Sequence, residues 1–254
     1  MEKEEKVRIK VLRFNPSKER KASYESYELP YIKGFTILDS LLYIKENLDH
    51  SLAIRYSCRM AICGSCGMLI NGLPRLACYT QLSDVKRKEI VLEPLPNFPI
   101  IRDLVSDFEG FFEHHKSLKP YLIRKGEEDI DENKREYIQH IEDLEKYLQF
   151  SVCIKCGLCY ASCPVASTDE LFPGPQALSQ AYRYIADNRD NGLEERLKLI
   201  DNPHGIWRCH FAGSCSKVCP KGVDPALGIQ LLRRYLMSLR KPKKKLAEVY
   251  RRAY

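Results

Sequence analysis

Eleven cysteines stand in three groups along 254 residues, with spacings that suit metal–thiolate chemistry. The first group is Cys58-x4-Cys63-x2-Cys66-x11-Cys78. Three thiolates on one short loop, with a fourth from a separate segment, suit a flat [2Fe–2S] cluster. Gly64 and Gly67 would let the backbone approach closely and turn its N–H groups towards the sulfurs. The second group is Cys153-x2-Cys156-x2-Cys159-x3-Cys163-Pro164. In such a run three cysteines bind one cluster and the fourth ligates another, so the rule demands a second half. Cys209-x2-Ala212-x2-Cys215-x3-Cys219-Pro220 supplies it, with alanine in the middle cysteine position.

That alanine bears on the cluster types. Cys153, Cys156, Cys159 and Cys219 complete a [4Fe–4S] centre. Cys163, Cys209 and Cys215 leave three thiolates for the other, and the simplest outcome is [3Fe–4S]. A labile [4Fe–4S] cluster, with water or an external thiol on its fourth iron, stays open as the alternative. Four, four and three ligands use all eleven cysteines. Structural zinc offers no reason for that total, and zinc sites commonly pair C-x2-C with a second C-x2-C, absent from the first group. A disulfide framework belongs to small secreted chains. Three buried iron–sulfur centres break no substrate bonds; they move single electrons. The chain has no Gly-rich dinucleotide fingerprint and no flavin motif, so a two-electron donor site is expected on another subunit.

The elements that must position these loops fall into two regions. In the first, Val7, Ile9 and Val11 alternate with Arg8, Lys10 and Leu12 as a half-buried strand does. From Thr36, the residues Ile37, Leu41, Ile44 and Leu48 recur at helical spacing, with Asp39 in the first turn. Met68–Ile70 before the Asn71–Gly72 turn, and Ile90–Leu92 before Pro94, read as short strands. Leu95–Ile101, with two prolines, reads as a connector. Beyond Asp103 the pattern becomes helical. Tyr137, Ile141, Leu144 and Leu148 form one stripe leading into the second cysteine group. Gly126 to Glu132 reads as a surface loop. Pro175 opens a helix carrying Leu178, Ala181 and Ile185, and a last helix from about Pro225 carries Ile229, Leu232, Leu236 and Leu239. The expectation is an α+β chain of two domains, 1–105 around the first cysteine group and a helical 106–254 around the others.

Charge and hydropathy limit the setting. No run approaches eighteen apolar residues, the length read as a membrane span. The start, MEKEEKVRIK, lacks the apolar stretch of a secretory signal, which predicts a cytoplasmic chain. The net charge is +7. Between Arg233 and Tyr254, nine basic residues face one acidic residue, so this tail accounts for the excess. It suits anionic lipid headgroups, an acidic partner or plain solvation, and no aromatic–basic nucleic-acid motif accompanies it.

The stretches RYSCRMAICGSCGMLINGLPRLAC, FSVCIKCGLCYASCP and WRCHFAGSCSKVCPKGVDPALGIQ resemble the iron–sulfur subunit of the succinate dehydrogenase/fumarate reductase family, over nearly the whole chain. The resemblance implies a β-grasp, plant-type ferredoxin domain followed by an all-α, bacterial-ferredoxin-like domain. It implies electron transfer between FAD on a partner flavoprotein and a membrane quinone in the order [2Fe–2S], [4Fe–4S], [3Fe–4S]. The overall reaction would be succinate + quinone = fumarate + quinol, or its reverse in a fumarate reductase. A different flavin dehydrogenase partner is the further alternative. Membrane-anchor partners and a peripheral place on the cytoplasmic face of the cell membrane follow from the same resemblance. By position, Pro164 and His210 would lie near the quinone, and Arg233 would match a basic position there. His210 then reads as a proton relay or quinone hydrogen-bond donor, or else as a polar side chain tuning the cluster. Trp207 reads as core filling or as a cover over the cluster. One departure is that the tryptophan succinate dehydrogenases carry after the second cysteine run is replaced here by Val165–Ala166–Ser167–Thr168.

Overall fold

Val7, Ile9 and Val11 all turn into the core, as their alternation requires, and they belong to strand β1 (Lys6–Arg13). The computed structural model describes residues 6–18, 20–85, 89–124 and 139–240. β1 pairs antiparallel with β2 (Ser23–Pro30) on one side and parallel with β5 (Glu89–Glu93) on the other, with Ile9 opposite Ile90 and Val11 opposite Leu92. β3 (Gly67–Ile70) and β4 (Leu73–Leu76) form a hairpin on β5, giving the order β2-β1-β5-β3-β4. Asn71 and Gly72, at φ 51 and 78, make the tight turn between them, as the Asn-Gly pair predicts. Helix α1 (Ile37–Asn47) packs Ile37, Leu38, Leu41 and Ile44 under the sheet. A capping box starts it: Asp39 N–H donates to Thr36 Oγ1 at 3.1 Å, and Thr36 N–H donates to the Asp39 carboxylate at 2.9 Å. A one-turn helix, α2 (Leu82–Val85), leads towards β5. This mixed sheet over one helix is the β-grasp arrangement expected.

The Leu95–Ile101 connector needs a correction. Its last residues enter β6 (Ile100–Arg102), which pairs with β7 (Val105–Ser106). The turn residue Asp103, at φ 47, buries its carboxylate and accepts from Phe14 N–H at 3.0 Å, Ala53 N–H at 2.9 Å and Arg13 Nε at 3.2 Å. The small hairpin is therefore fastened to the first sheet by a side chain, which a strand pattern does not reveal.

The helical region begins with α3 (Glu109–Ser117), followed by α4 (Ile141–Glu145), α5 (Leu148–Ser151) and α6 (Leu158–Ala161). After these come α7 (Gly174–Ile185), α8 (Leu193–Ile200), α9 (Ser214–Lys217) and α10 (Pro225–Arg240). α7 and α10 form the central pair, with Ala177, Leu178 and Ala181 meeting Ile229, Leu232 and Leu236 in the core. Gly228 permits the close approach, since a Cβ there would sit 3.1 Å from Ser179 Cβ. The predicted stripe Ile141–Leu144–Leu148 is overturned. It is split between α4 and α5, Ile141 and Leu148 are exposed, Leu144 alone of the three packs against the core, and the residues buried there are Tyr147 and Phe150. At the far end Leu239 is likewise exposed. Tyr137, the Gly126–Glu132 stretch and the tail from Lys241 lie outside the described residues.

Candidate metal centres

The first cysteine loop owes its shape to three left-handed residues, Arg59, Ala61 and Gly64, at φ 56, 57 and 73. Reversing the backbone this way points successive N–H groups inward. Met60, Ile62 and Cys63 N–H donate to Cys58 Sγ at 3.4, 3.3 and 3.2 Å, and Cys58 N–H donates to Cys63 Sγ at 3.5 Å. Ala61 N–H reaches Cys78 Sγ at 3.3 Å, and Cys78 N–H reaches Cys66 Sγ at 3.4 Å. Cys78 arrives on a short turn after β4, held by Ala77 N–H on Cys66 carbonyl at 3.0 Å. The converging donors hold the Cys58 thiol down to about 6, whereas burial pushes Cys66 up to about 12. Donors to sulfur stabilise negative charge on it, so this cradle fits thiolates bound to iron and favours a reduced cluster.

The other two loops share one backbone design. Lys155 and Gly157, at φ 55 and 75, precede α6; Phe211 and Gly213, at φ 56 and 72, precede α9. Ala212 stands in the second loop where Cys156 stands in the first. Phe211 N–H donates to Cys209 Sγ at 3.4 Å, and at the matching position the backbone N–H of Lys155 favours the Cys153 thiolate. The two loops then exchange their fourth cysteines. Cys219 joins Cys153, Cys156 and Cys159 around one cavity. Cys163 joins Cys209 and Cys215 around a second, where Ala212 presents a methyl group. Among the described residues no group of three or more His, Cys, Asp or Glu closes tightly enough for a single metal ion. Zinc would need its sulfurs about 2.3 Å from one point, whereas these cysteines ring cavities that fit a multi-atom cluster.

Burial reinforces the fit. Loss of solvation pushes the thiols of Cys156 up to about 12 and Cys215 up to about 11, and drives Cys159 well above the ordinary range. Several thiolates crowded into apolar cavities are tenable around cationic iron and costly without it.

Pro164 and His210 line the three-cysteine cavity and both face solvent. Arg233 does not line it. Its Nε and Nη2 donate to Ile206 carbonyl at 3.0 and 2.6 Å, and Nη2 also donates to Cys209 carbonyl at 2.6 Å. The guanidinium thus holds the Cys209 loop from behind. Trp207 is half-buried against the core, donates to Asp201 at 2.7 Å, and has Arg233 and Arg240 5.8 and 5.4 Å from its ring centroid.

Contacts between the two regions escaped the sequence reading. A Cβ on Gly64 would lie 2.7 Å from Cys156 Cβ and 2.8 Å from Cys156 Cα, so the first and second cluster loops touch backbone to backbone. Gly157 abuts Phe98 and Phe108, whose rings stack at 4.4 Å. Asn97, left-handed at φ 67, donates its amide to the carbonyls of Tyr160, Ala161 and Cys163 at 2.9, 3.2 and 3.1 Å, and so closes the end of α6. An asparagine between apolar residues after two prolines was the one available signal for that cap.

Sequence comparison agrees with this geometry. The 2Fe-2S iron-sulfur cluster binding domain family matches residues 8–113, and the 4Fe-4S dicluster domain family matches residues 149–223. The fumarate reductase iron-sulfur subunit of Haemophilus influenzae is 44% identical over 250 residues, covering 93% of this chain and 97% of that protein. Those of Mycobacterium tuberculosis and Escherichia coli O6:H1 are 44% and 46% identical, covering 89% and 88% of this chain and 91% and 90% of theirs. The chain belongs to the iron–sulfur subunits of the succinate dehydrogenase/fumarate reductase family. As a member it is the electron-transfer subunit of a succinate:quinone oxidoreductase, with a 2Fe-2S-type and a 4Fe-4S-type domain. A chain of the Mycobacterium smegmatis Sdh1 complex in the apo form shares its fold, with a TM-score of 0.82 at 23% identity over 95% of this chain and 100% of that one. Among the described residues of this family member, no helix is long and apolar enough to cross a membrane.

Proposed function

We propose that Cys58, Cys63, Cys66 and Cys78 hold a [2Fe–2S] centre, Cys153, Cys156, Cys159 and Cys219 a [4Fe–4S] centre, and Cys163, Cys209 and Cys215 a [3Fe–4S] centre. When bound, these groups supply one-electron steps between FAD on a partner flavoprotein and a membrane quinone. The observation that carries the reading is the exchange of Cys163 and Cys219 between two adjacent cavities, which leaves four sulfurs in one and three in the other. The chain's own contribution is to fix the sulfurs, aim N–H donors at them, exclude water and hold the loops against one another. The close approach of Gly64 to Cys156 supports direct passage between the first two centres.

Division of the chain at residue 105 into two domains belongs to the same reading, with the Gly64, Gly157 and Asn97 contacts joining them. Exposed Met60 and Ile62, beside Cys63, suit an apolar docking rim for the flavoprotein. At the other end Pro164 and His210, on the solvent-facing wall of the three-cysteine cavity, suit the quinone vicinity. Arg233 serves that end by holding the Cys209 loop. Membrane-anchor subunits and a peripheral place on the cytoplasmic face complete the proposal. Quinol-driven fumarate reduction is the second reading, favoured by relatives at 44–46% identity that are named fumarate reductase subunits.

The test is low-temperature EPR on native membranes before and after succinate, with dithionite as full-reduction control. Loss of an oxidised three-iron signal on adding succinate, with appearance of a reduced [2Fe–2S] signal, is the expected result. Reduction by dithionite alone would refute the succinate link. No iron–sulfur signal in either state would refute the ligand assignment.

A further inference from the structure

Gln176 lies in the first turn of α7, is 1% exposed, and lines the four-cysteine cavity. Its Nε2 stands 3.3 Å from Nδ1 of His115, itself buried on α3, and its amide shares the cavity wall with Cys153, whose thiolate it favours. Its Oε1 is buried without a partner. An amide nitrogen carries two hydrogens, so Nε2 can serve the histidine ring with one and turn the other towards the cavity that Cys153 lines. With Nδ1 of His115 as the acceptor nitrogen of the neutral ring, flipping the amide would set an oxygen lone pair against it. The unpartnered Oε1 is the consequence of holding the nitrogen where it is.

We infer that Gln176 is a positioning residue that raises the reduction potential of the centre held by Cys153, Cys156, Cys159 and Cys219, with His115 fixing the direction of its amide. Reduction adds negative charge that is shared with the ligand sulfurs, and an N–H aimed at sulfur stabilises the reduced form more than the oxidised one. The inference rests on the proposed [4Fe–4S] assignment. Burial and the nearby charge of Lys155 push His115 down to about 4, so the ring stays neutral at physiological pH and keeps an acceptor for Gln176. Neither residue reacts with anything; together they set how readily the second centre takes an electron.

The experiment uses the assembled complex and a potentiometric EPR titration of the four-iron signal. Gln176→Leu removes the donor and is expected to weaken reduction of that centre by roughly tenfold, about 59 mV for one electron. Gln176→Glu replaces the donor with a negative charge and is expected to shift it further in the same direction, with the other two centres unmoved. A second measurement needs no variant. In wild-type protein labelled with 15N at glutamine side chains, pulsed EPR of the reduced centre is expected to show a 15N coupling. An unchanged midpoint in loaded variants, or no such coupling in the wild type, overturns the inference while leaving the cluster assignment intact. Absence of any four-iron signal from wild type overturns the assignment, and the inference with it.

Discussion

Replacing Gly64 by alanine tests how closely the first two cluster loops must approach. Two penalties meet at this residue. Its φ of 73 lies in the left-handed region, where a Cβ costs about 1–2 kcal/mol. The new methyl would also sit 2.7 and 2.8 Å from Cys156 Cβ and Cα, against an optimum of about 3.5–4.0 Å between carbons. Cys156 is a proposed ligand on a short loop, so the overlap is relieved only by parting the loops by roughly 1 Å. Overpacking of that kind costs about 1–3 kcal/mol, for a total of about 2–5 kcal/mol. Gly72 is the control, since its φ is 78 but nothing lies within 4 Å of its would-be Cβ. Gly72→Ala is expected to carry the backbone penalty alone, about 1–2 kcal/mol. Urea-induced bleaching of the loaded subunit gives the rank order of the two variants. The dipolar broadening between the reduced [2Fe–2S] and [4Fe–4S] signals reports their separation and should weaken in Gly64→Ala only. Equal sensitivity to urea in both variants, with unchanged broadening, would refute the tight contact and the electron path built on it.

Ala212→Cys restores the middle cysteine to the third run, and the oxidised three-iron EPR signal should give way to a fourth-iron-filled centre; persistence of the original signal would show that ligand count does not decide the cluster type. Asn97→Gly keeps the left-handed backbone while removing the amide from three carbonyls, and should lower stability by about 1–3 kcal/mol in urea unfolding; no loss would mean that water replaces the cap. His115 gives a pH dependence. Folded, it titrates at about 4, below the ordinary 6.5, because of burial and Lys155. Between those values only the unfolded chain takes up the proton, so stability should fall by about 1.4 kcal/mol per unit as pH drops from 6.5 towards 4. Unfolding midpoints measured across that range should flatten in His115→Gln, and identical slopes in the two proteins would contradict the buried neutral histidine.

Cysteine spacing alone determined most of the chemistry. A thiolate run has to bend around a cluster of fixed size, so ligand intervals are tightly constrained and readable in one dimension. The absent sulfur at Ala212 is read just as directly. Period-2 and period-3.6 patterns similarly placed β1, α1, α7 and α10, because each buries one face, and the Asn71–Gly72 turn and Pro94 marked the ends of β3 and β5. The sequence did not reveal β2, which is largely exposed and lacks alternation. It also misled at Ile141 and Leu148, where two short helices replace one stripe and Tyr147 and Phe150 take the core. Tertiary structure alone decided the contacts between separate loops. Gly64 against Cys156, Asn97 over the end of α6, Arg233 behind Cys209 and Gln176 between His115 and Cys153 each join residues from different segments. No local periodicity encodes such pairs, because their energy comes from neighbours that only the folded chain brings together.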